Sequence, residues 1–167
     1  AVSVVIGDGE ICAISSAPPQ DARIVDLLGP LLLPGFIDTQ VNGGGGRLFN
    51  DDPSVETIRV IAETHRRYGT TGLLPPLISD DLSVVEAGIR AVDAAIEAGL
   101  PGVLGIHIEG PFLSSARHGI HSVEKLQPLK DDYRDLLTSA KRGKTMVTLA
   151  PECATPVQVA HLVAKGV

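Results

Sequence analysis

From Leu31 onward the chain alternates short β-prone runs with stretches whose apolar residues recur at helical spacing, and this rhythm restricts the fold more than any other feature. Strand-like runs fall at about residues 32–41, 71–78, 103–109 and 145–150, and helix-like stretches at about 54–68, 82–98, 131–141 and 156–165. In the first helical stretch Val55, Ile58, Ile61 and Ala62 share one face, and Ser54 and Ser83 stand where capping residues are expected. Strands alternating with helices predict an α/β fold with a parallel sheet. Four such units predict part of an eight-stranded (β/α)8 TIM barrel, whose active sites gather at the C-terminal ends of the strands. A doubly wound open sheet is the competing arrangement. Against it, Asn42-Gly43-Gly44-Gly45-Gly46 lacks the dinucleotide-binding glycine spacing and runs into Arg47-Leu48-Phe49-Asn50 rather than a clear helix. It reads instead as a loop that tolerates unusual backbone angles.

The segment before this rhythm differs. Runs at 2–6, 10–14 and 23–27 are apolar or β-branched and are separated by Gly-Asp-Gly and Ser/Pro turns, which predicts a small, incomplete β domain over 1–33 ahead of the main domain, 34–167. Residue 1 is Ala and opens directly into a strand-like run, so the natural N-terminus is expected to lie upstream.

Composition excludes several classes of function. With 44% hydrophobic and 20% charged residues the chain is of globular type, and with 3% aromatics and no Trp its core must be built from Leu, Ile, Val and Ala. A net charge of −6, without a Lys/Arg stripe, argues against a nucleic-acid partner. The longest apolar stretch, 24–37, is broken by Asp26, Gly29, Pro30, Pro34 and Gly35 and falls short of a bilayer span, so no membrane anchor is expected. Cys12 and Cys153 lie far apart without a Cys-x-x-Cys pattern, which fits cytoplasmic residence and gives no disulfide framework.

Two strand ends carry candidate chemistry. In Pro34-Gly35-Phe36-Ile37-Asp38-Thr39-Gln40-Val41-Asn42, period-two alternation places Asp38, Gln40 and Asn42 on one face, where they could converge on a ligand or merely bond the glycine-rich turn. In Gly105-Ile106-His107-Ile108-Glu109-Gly110-Pro111, His107 and Glu109 share a face. Ionised carboxylates are rarely buried unless paired or metal-bound, so Glu109 is the candidate metal ligand and His107 a supporting residue. The long connection 110–130 that follows brings Arg117, His118 and His121, one of which could reach a substrate; connections of this length are often functional. His65 and His161, on predicted helices, are assigned structural roles.

These motifs, together with Gly69-Thr70-Thr71-Gly72-Leu73-Leu74-Pro75, Leu77-Ile78-Ser79-Asp80, Arg117-His118-Gly119-Ile120-His121 and Val147-Thr148-Leu149-Ala150-Pro151-Glu152, resemble the N-acetylglucosamine-6-phosphate deacetylase family of the amidohydrolase superfamily. The resemblance covers nearly all of 31–167. It implies a (β/α)8 barrel of which this chain is the N-terminal half, one divalent metal ion (zinc, with iron the alternative), and a full-length homodimer. It implies Glu109 as the metal ligand, and His121 with the backbone at Ile120 as substrate contacts. Where many superfamily members have His-x-His at the end of strand one, this chain has Gln40 and Asn42, poorer ligands that imply a single metal. The family's two histidine ligands and its acid/base aspartate are expected downstream, so no catalytic acid/base is expected within this chain.

The activity implied is hydrolysis of N-acetylglucosamine 6-phosphate to glucosamine 6-phosphate and acetate. The alternatives are an amidohydrolase acting on another cyclic amide or an aminated base, and a non-catalytic sugar-phosphate binding module in which Glu109 is merely salt-bridged. An opened half barrel also exposes strand edges and apolar helix faces, so these 167 residues alone are expected to be insoluble or inactive, or to pair with another half barrel.

Overall fold

The computed structural model describes residues 2–167, which form two compact units, one ending at Pro34 and the other running from Gly35 to Val167. In the first unit β1 (Ser3–Gly7) and β2 (Glu10–Ser15) pair antiparallel. Their turn, Asp8-Gly9, has φ of 52° and 82°, the positive pair that a tight two-residue hairpin turn requires. The expected strand at 23–27 does not form. That run belongs to no ladder, and the pair Pro18-Pro19 and the dipeptide Gly29-Pro30 punctuate the chain around it.

In the second unit β3 (Phe36–Asp38), α1 (Val55–Arg66), β4 (Thr70–Leu73), β5 (Pro76–Ile78), α2 (Leu82–Glu97), β6 (Gly105–Glu109), α3 (Asp131–Leu137), β7 (Lys144–Thr148) and α4 (Pro156–Ala164) follow in order. All the pairings are parallel: β3 with β4, β5 with β6, and β6 with β7, with a further bridge between Leu73 and Val103. Within each of the two sheets, β3-β4 and β5-β6-β7, consecutive strands are neighbours, as βα units require. The expected strand 71–78 is split into β4 and β5 at Leu74-Pro75, where proline removes a ladder donor. The expected strand 32–41 shrinks to three residues, β3.

α1 packs on β4 and α2 on β6. Ser54 caps α1, its hydroxyl accepting from Thr57 N–H, and Thr57, Ile58, Ile61 and Ala62 are buried. Complete burial of Ile58 and Ile61 contributes roughly 2 kcal/mol each. Ser83 is no cap: α2 begins at Leu82 with Asp81 in the cap position. That helix lays Val85, Ile89, Val92 and Ala95 on the sheet. α3 stops at Leu137, short of the expected 141, because the Thr138 hydroxyl turns back onto the carbonyls of Arg134 and Asp135. α4 starts in a reciprocal Thr155–Gln158 capping box with Pro156 in its first turn. Phe112 meets Tyr133 edge to face at 5.1 Å and fastens the start of the long connection to α3.

Candidate metal and substrate site

The register of the three-stranded sheet sets Ile78, Glu109 and Thr148 side by side at the C-terminal ends of β5, β6 and β7. Every residue of β6 before Glu109 is buried, whereas Glu109 emerges at the edge with its side chain 18% exposed. No hydrogen bond reaches its carboxylate among the described residues, and the one cationic side chain among them within ion-pair distance is His121, whose Nε2 lies 3.7 Å from Oε1. That separation is too long for a hydrogen bond. A carboxylate so little hydrated and so poorly partnered is suited to a cation.

His107, two residues earlier, is 1% exposed. Its Nδ1–H donates to the Thr39 carbonyl at 2.9 Å, and Nε2 then accepts from the Thr148 hydroxyl at 2.8 Å. Burial lowers its pKa, partly offset by the Thr39 bond and the Glu109 charge, so the ring stays neutral. Both nitrogens are spent, and His107 ties the chain after β3 to β6 and β7.

The long connection closes over this edge. Short helical turns at Ser115–Arg117 and Val123–Lys125 shape it. Backbone bonds from Gln127 to Pro111, from Leu129 to Cys153 and from Ala150 to Phe112 hold it down. It returns His121 to the site 7% exposed, against Ser79, which directly follows β5. Ile120, just before His121, is 82% exposed. Arg117 is exposed, and His118 donates to the His121 carbonyl.

Beneath the loop, Asn50 donates to the Ile78 carbonyl and the Asp80 carboxylate and accepts from Ile78 N–H. Its amide thus acts as a one-residue strand beside β5. Lys125 reaches Asp80 at 3.4 Å and Asp81 at 2.6 Å. Partial burial raises the Asp80 pKa, but the bonds from Asp81 N–H, Asn50 and Lys125 outweigh it and hold the carboxyl below its ordinary value.

The alternation expected to align Asp38, Gln40 and Asn42 does not extend that far. Asp38 ends β3 and its carboxylate accepts from Gln40 N–H, a local turn that breaks the period of two. Gln40 and Asn42 lie beyond it, exposed. His65 bonds the Gly43 carbonyl and so pins the glycine-rich turn to α1. Ser79, Thr148 and Asn50 went unassigned in the sequence. For Ser79 and Thr148 the available signal was position, since each sits at the C-terminal end of a parallel strand. Asn50 gave no such signal.

Among the described residues no three His, Cys, Asp or Glu side chains converge as the ligands of a metal ion would. No helix among them is long and apolar enough to cross a membrane. Residues 31–165 match the sequence profile of the amidohydrolase family. The chain belongs to that family. It is 42% identical over 98% of its length to an N-acetylgalactosamine-6-phosphate deacetylase of Shewanella sp. (strain ANA-3), spanning 43% of that protein. It is 35% identical over 90% of its length to the N-acetylglucosamine-6-phosphate deacetylase of Haemophilus influenzae, spanning 40% of it. Its structure superposes on 44% of the Pasteurella multocida N-acetylglucosamine-6-phosphate deacetylase over 99% of this chain, with a TM-score of 0.93 and 32% identity. A mutant Mycobacterium smegmatis deacetylase solved with N-acetyl-D-glucosamine-6-phosphate is also similar, with a TM-score of 0.82, 28% identity, 98% of this chain and 43% of that one. The chain thus spans about two-fifths of the length of the relatives it matches.

Proposed function

We propose that the protein to which this chain belongs hydrolyses the acetamido group of N-acetylglucosamine 6-phosphate, giving glucosamine 6-phosphate and acetate. The observation that carries this reading is Glu109, an almost buried carboxylate without a hydrogen bond at the strand end of an amidohydrolase fold. Glu109 is the residue that would hold a divalent cation, for which zinc suits carboxylate and imidazole donors. When bound, such a cation polarises an amide carbonyl and brings the pKa of its water towards about 7. Around it this chain supplies orientation. His107 locks β6 to its neighbours, His121 offers an N–H to a ligand oxygen, and the backbone at Ile120 lies on the rim.

In this reading the parallel strands are half of a closed (β/α)8 barrel, with Gln40 and Asn42 supporting the site at the end of its first strand. The divisions 1–33 and 34–167 then correspond to an incomplete β domain and the half barrel. The exposed Phe36 and Ile37 of β3 and the free edge of β7 fit an open sheet awaiting further strands. A cytoplasmic homodimer acting on a small amino-sugar phosphate completes the picture.

A second substrate, the galactosamine epimer, is favoured by the 42% identity to a deacetylase of that name. Acetate release by the intact protein from each 6-phosphate tests both. Turnover of the gluco compound supports the first reading, turnover of the galacto compound alone replaces it with the second, and turnover of neither refutes both.

A further inference from the structure

We propose that Ser79 is a positioning residue that fixes the tautomer of His121, so that the ring presents Nε2–H, a donor, towards the face that also holds Glu109; the functional consequence rests on the deacetylase reading above. Ser79 N–H points at His121 Nδ1 at 3.2 Å, and the Ser79 hydroxyl lies 2.7 Å from the same atom. A backbone N–H can only donate, so Nδ1 must carry the lone pair and the proton of the neutral ring sits on Nε2. A proton on Nδ1 would instead oppose the Ser79 N–H across this contact.

Nε2 itself is not spent. It faces Glu109 Oε1 at 3.7 Å, beyond hydrogen-bonding reach, which leaves its proton for an acceptor atom of a ligand entering between the loop and the strand ends. Both residues are buried, Ser79 at 8% and His121 at 7% exposure, so water does not compete strongly for Nδ1. The local sequence keeps this geometry. Ile78 pairs with Glu109, which brings Ser79 beside Gly110, and a Cβ at Gly110 would collide with the Ser79 hydroxyl. Glycine there preserves the space in which the hydroxyl turns towards His121. His118, bonded to the His121 carbonyl, holds the loop backbone but leaves the ring to Ser79 alone. His107 shows the opposite arrangement, with a carbonyl on Nδ1 and therefore Nδ1–H.

The test uses the intact protein with ring-labelled histidine. Long-range nitrogen–proton spectra, with the His121 signals assigned by their loss in His121→Gln, should show the Nε2–H tautomer, and Ser79→Ala, which removes the 2.7 Å hydroxyl contact and leaves only the longer 3.2 Å N–H on Nδ1, should shift the ring signals part-way without inverting the tautomer. In kinetics on N-acetylglucosamine 6-phosphate, Ser79→Ala should lower kcat/KM about five- to tenfold in the wild-type background. It should lower it less than about twofold in a His121→Gln background, because the two residues act as one unit. Ser79→Thr, which keeps the hydroxyl, should retain the wild-type tautomer. An Nδ1–H signature in the wild type, ring signals indifferent to Ser79→Ala, or equal losses in both backgrounds would overturn the assignment. The spectrum needs no substrate, so a protein without deacetylase activity would sink the functional reading while the tautomer was still decided.

Discussion

Glu109 and His121 face each other across 3.7 Å without bonding, and each is oriented by something else: Glu109 by the ladder of β6, His121 by Ser79. At this separation neither group spends its hydrogen-bonding capacity on the other. Were the pair only a structural ion pair, the two would be expected to close to about 2.8 Å.

The support beneath the site is tested at Asn50. Its amide makes three hydrogen bonds, to Ile78 N–H, the Ile78 carbonyl and Asp80. Asn50→Ala should destabilise the intact protein by about 2–3 kcal/mol in denaturant unfolding. Asn50→Asp should cost more, because a carboxylate cannot donate to the Ile78 carbonyl and stands against Asp80.

A pH dependence follows from Asp80. Its pKa is depressed below the ordinary 3.8 in the folded state, so its contribution to stability is fully present above that value and lost as pH falls through the lower, folded one. Lys125→Met removes one of the causes of the depression and should make the acid-side loss of stability shallower. Denaturation midpoints between about pH 5 and pH 3 measure this. A variant as steep as the wild type would show that Lys125 does not act on Asp80.

The β6–β7 pairing makes a steric prediction at Gly105. This residue has φ of 155° and is paired with Lys144, whose backbone oxygen lies where a Cβ would go. Gly105→Ala must therefore push the strands apart at their first pair. We expect a loss of about 3 kcal/mol or more, together with reduced activity, since the displacement runs along β6 to Glu109. Thermal unfolding of the variant checks it, and an unchanged midpoint would show that the pairing relaxes freely.

Much of the fold was legible from periodicity. Ile58, Ile61 and Ala62 on α1 mark a buried helical face, and Gly105 to Glu109 is the short apolar strand its composition suggests. The breaks were harder to see because they depend on single side chains competing with the ladder: Pro75 splitting one strand, Asp38 curling back onto Gln40, Thr138 ending α3. At the site, Glu109 and His121 were readable as residue types near a strand end. Their orienting partners were not, because Ser79 and Thr148 lie 42 and 41 residues away in sequence: Thr148 meets His107 only through strand register, and Ser79 meets His121 only where the long connection folds back. The alternation expected to carry Asp38, Gln40 and Asn42 ends for a related reason, since it continues only as long as the strand does and β3 stops at Asp38.

The account turns on whether Glu109 grips a cation, and metal analysis of the intact protein and its Glu109→Ala variant measures this directly. Stoichiometric divalent metal in the wild type, lost in the variant along with at least about a hundredfold of deacetylase activity, is the predicted result. A wild-type protein that binds no metal, or a variant that keeps both its metal and its turnover, would contradict it.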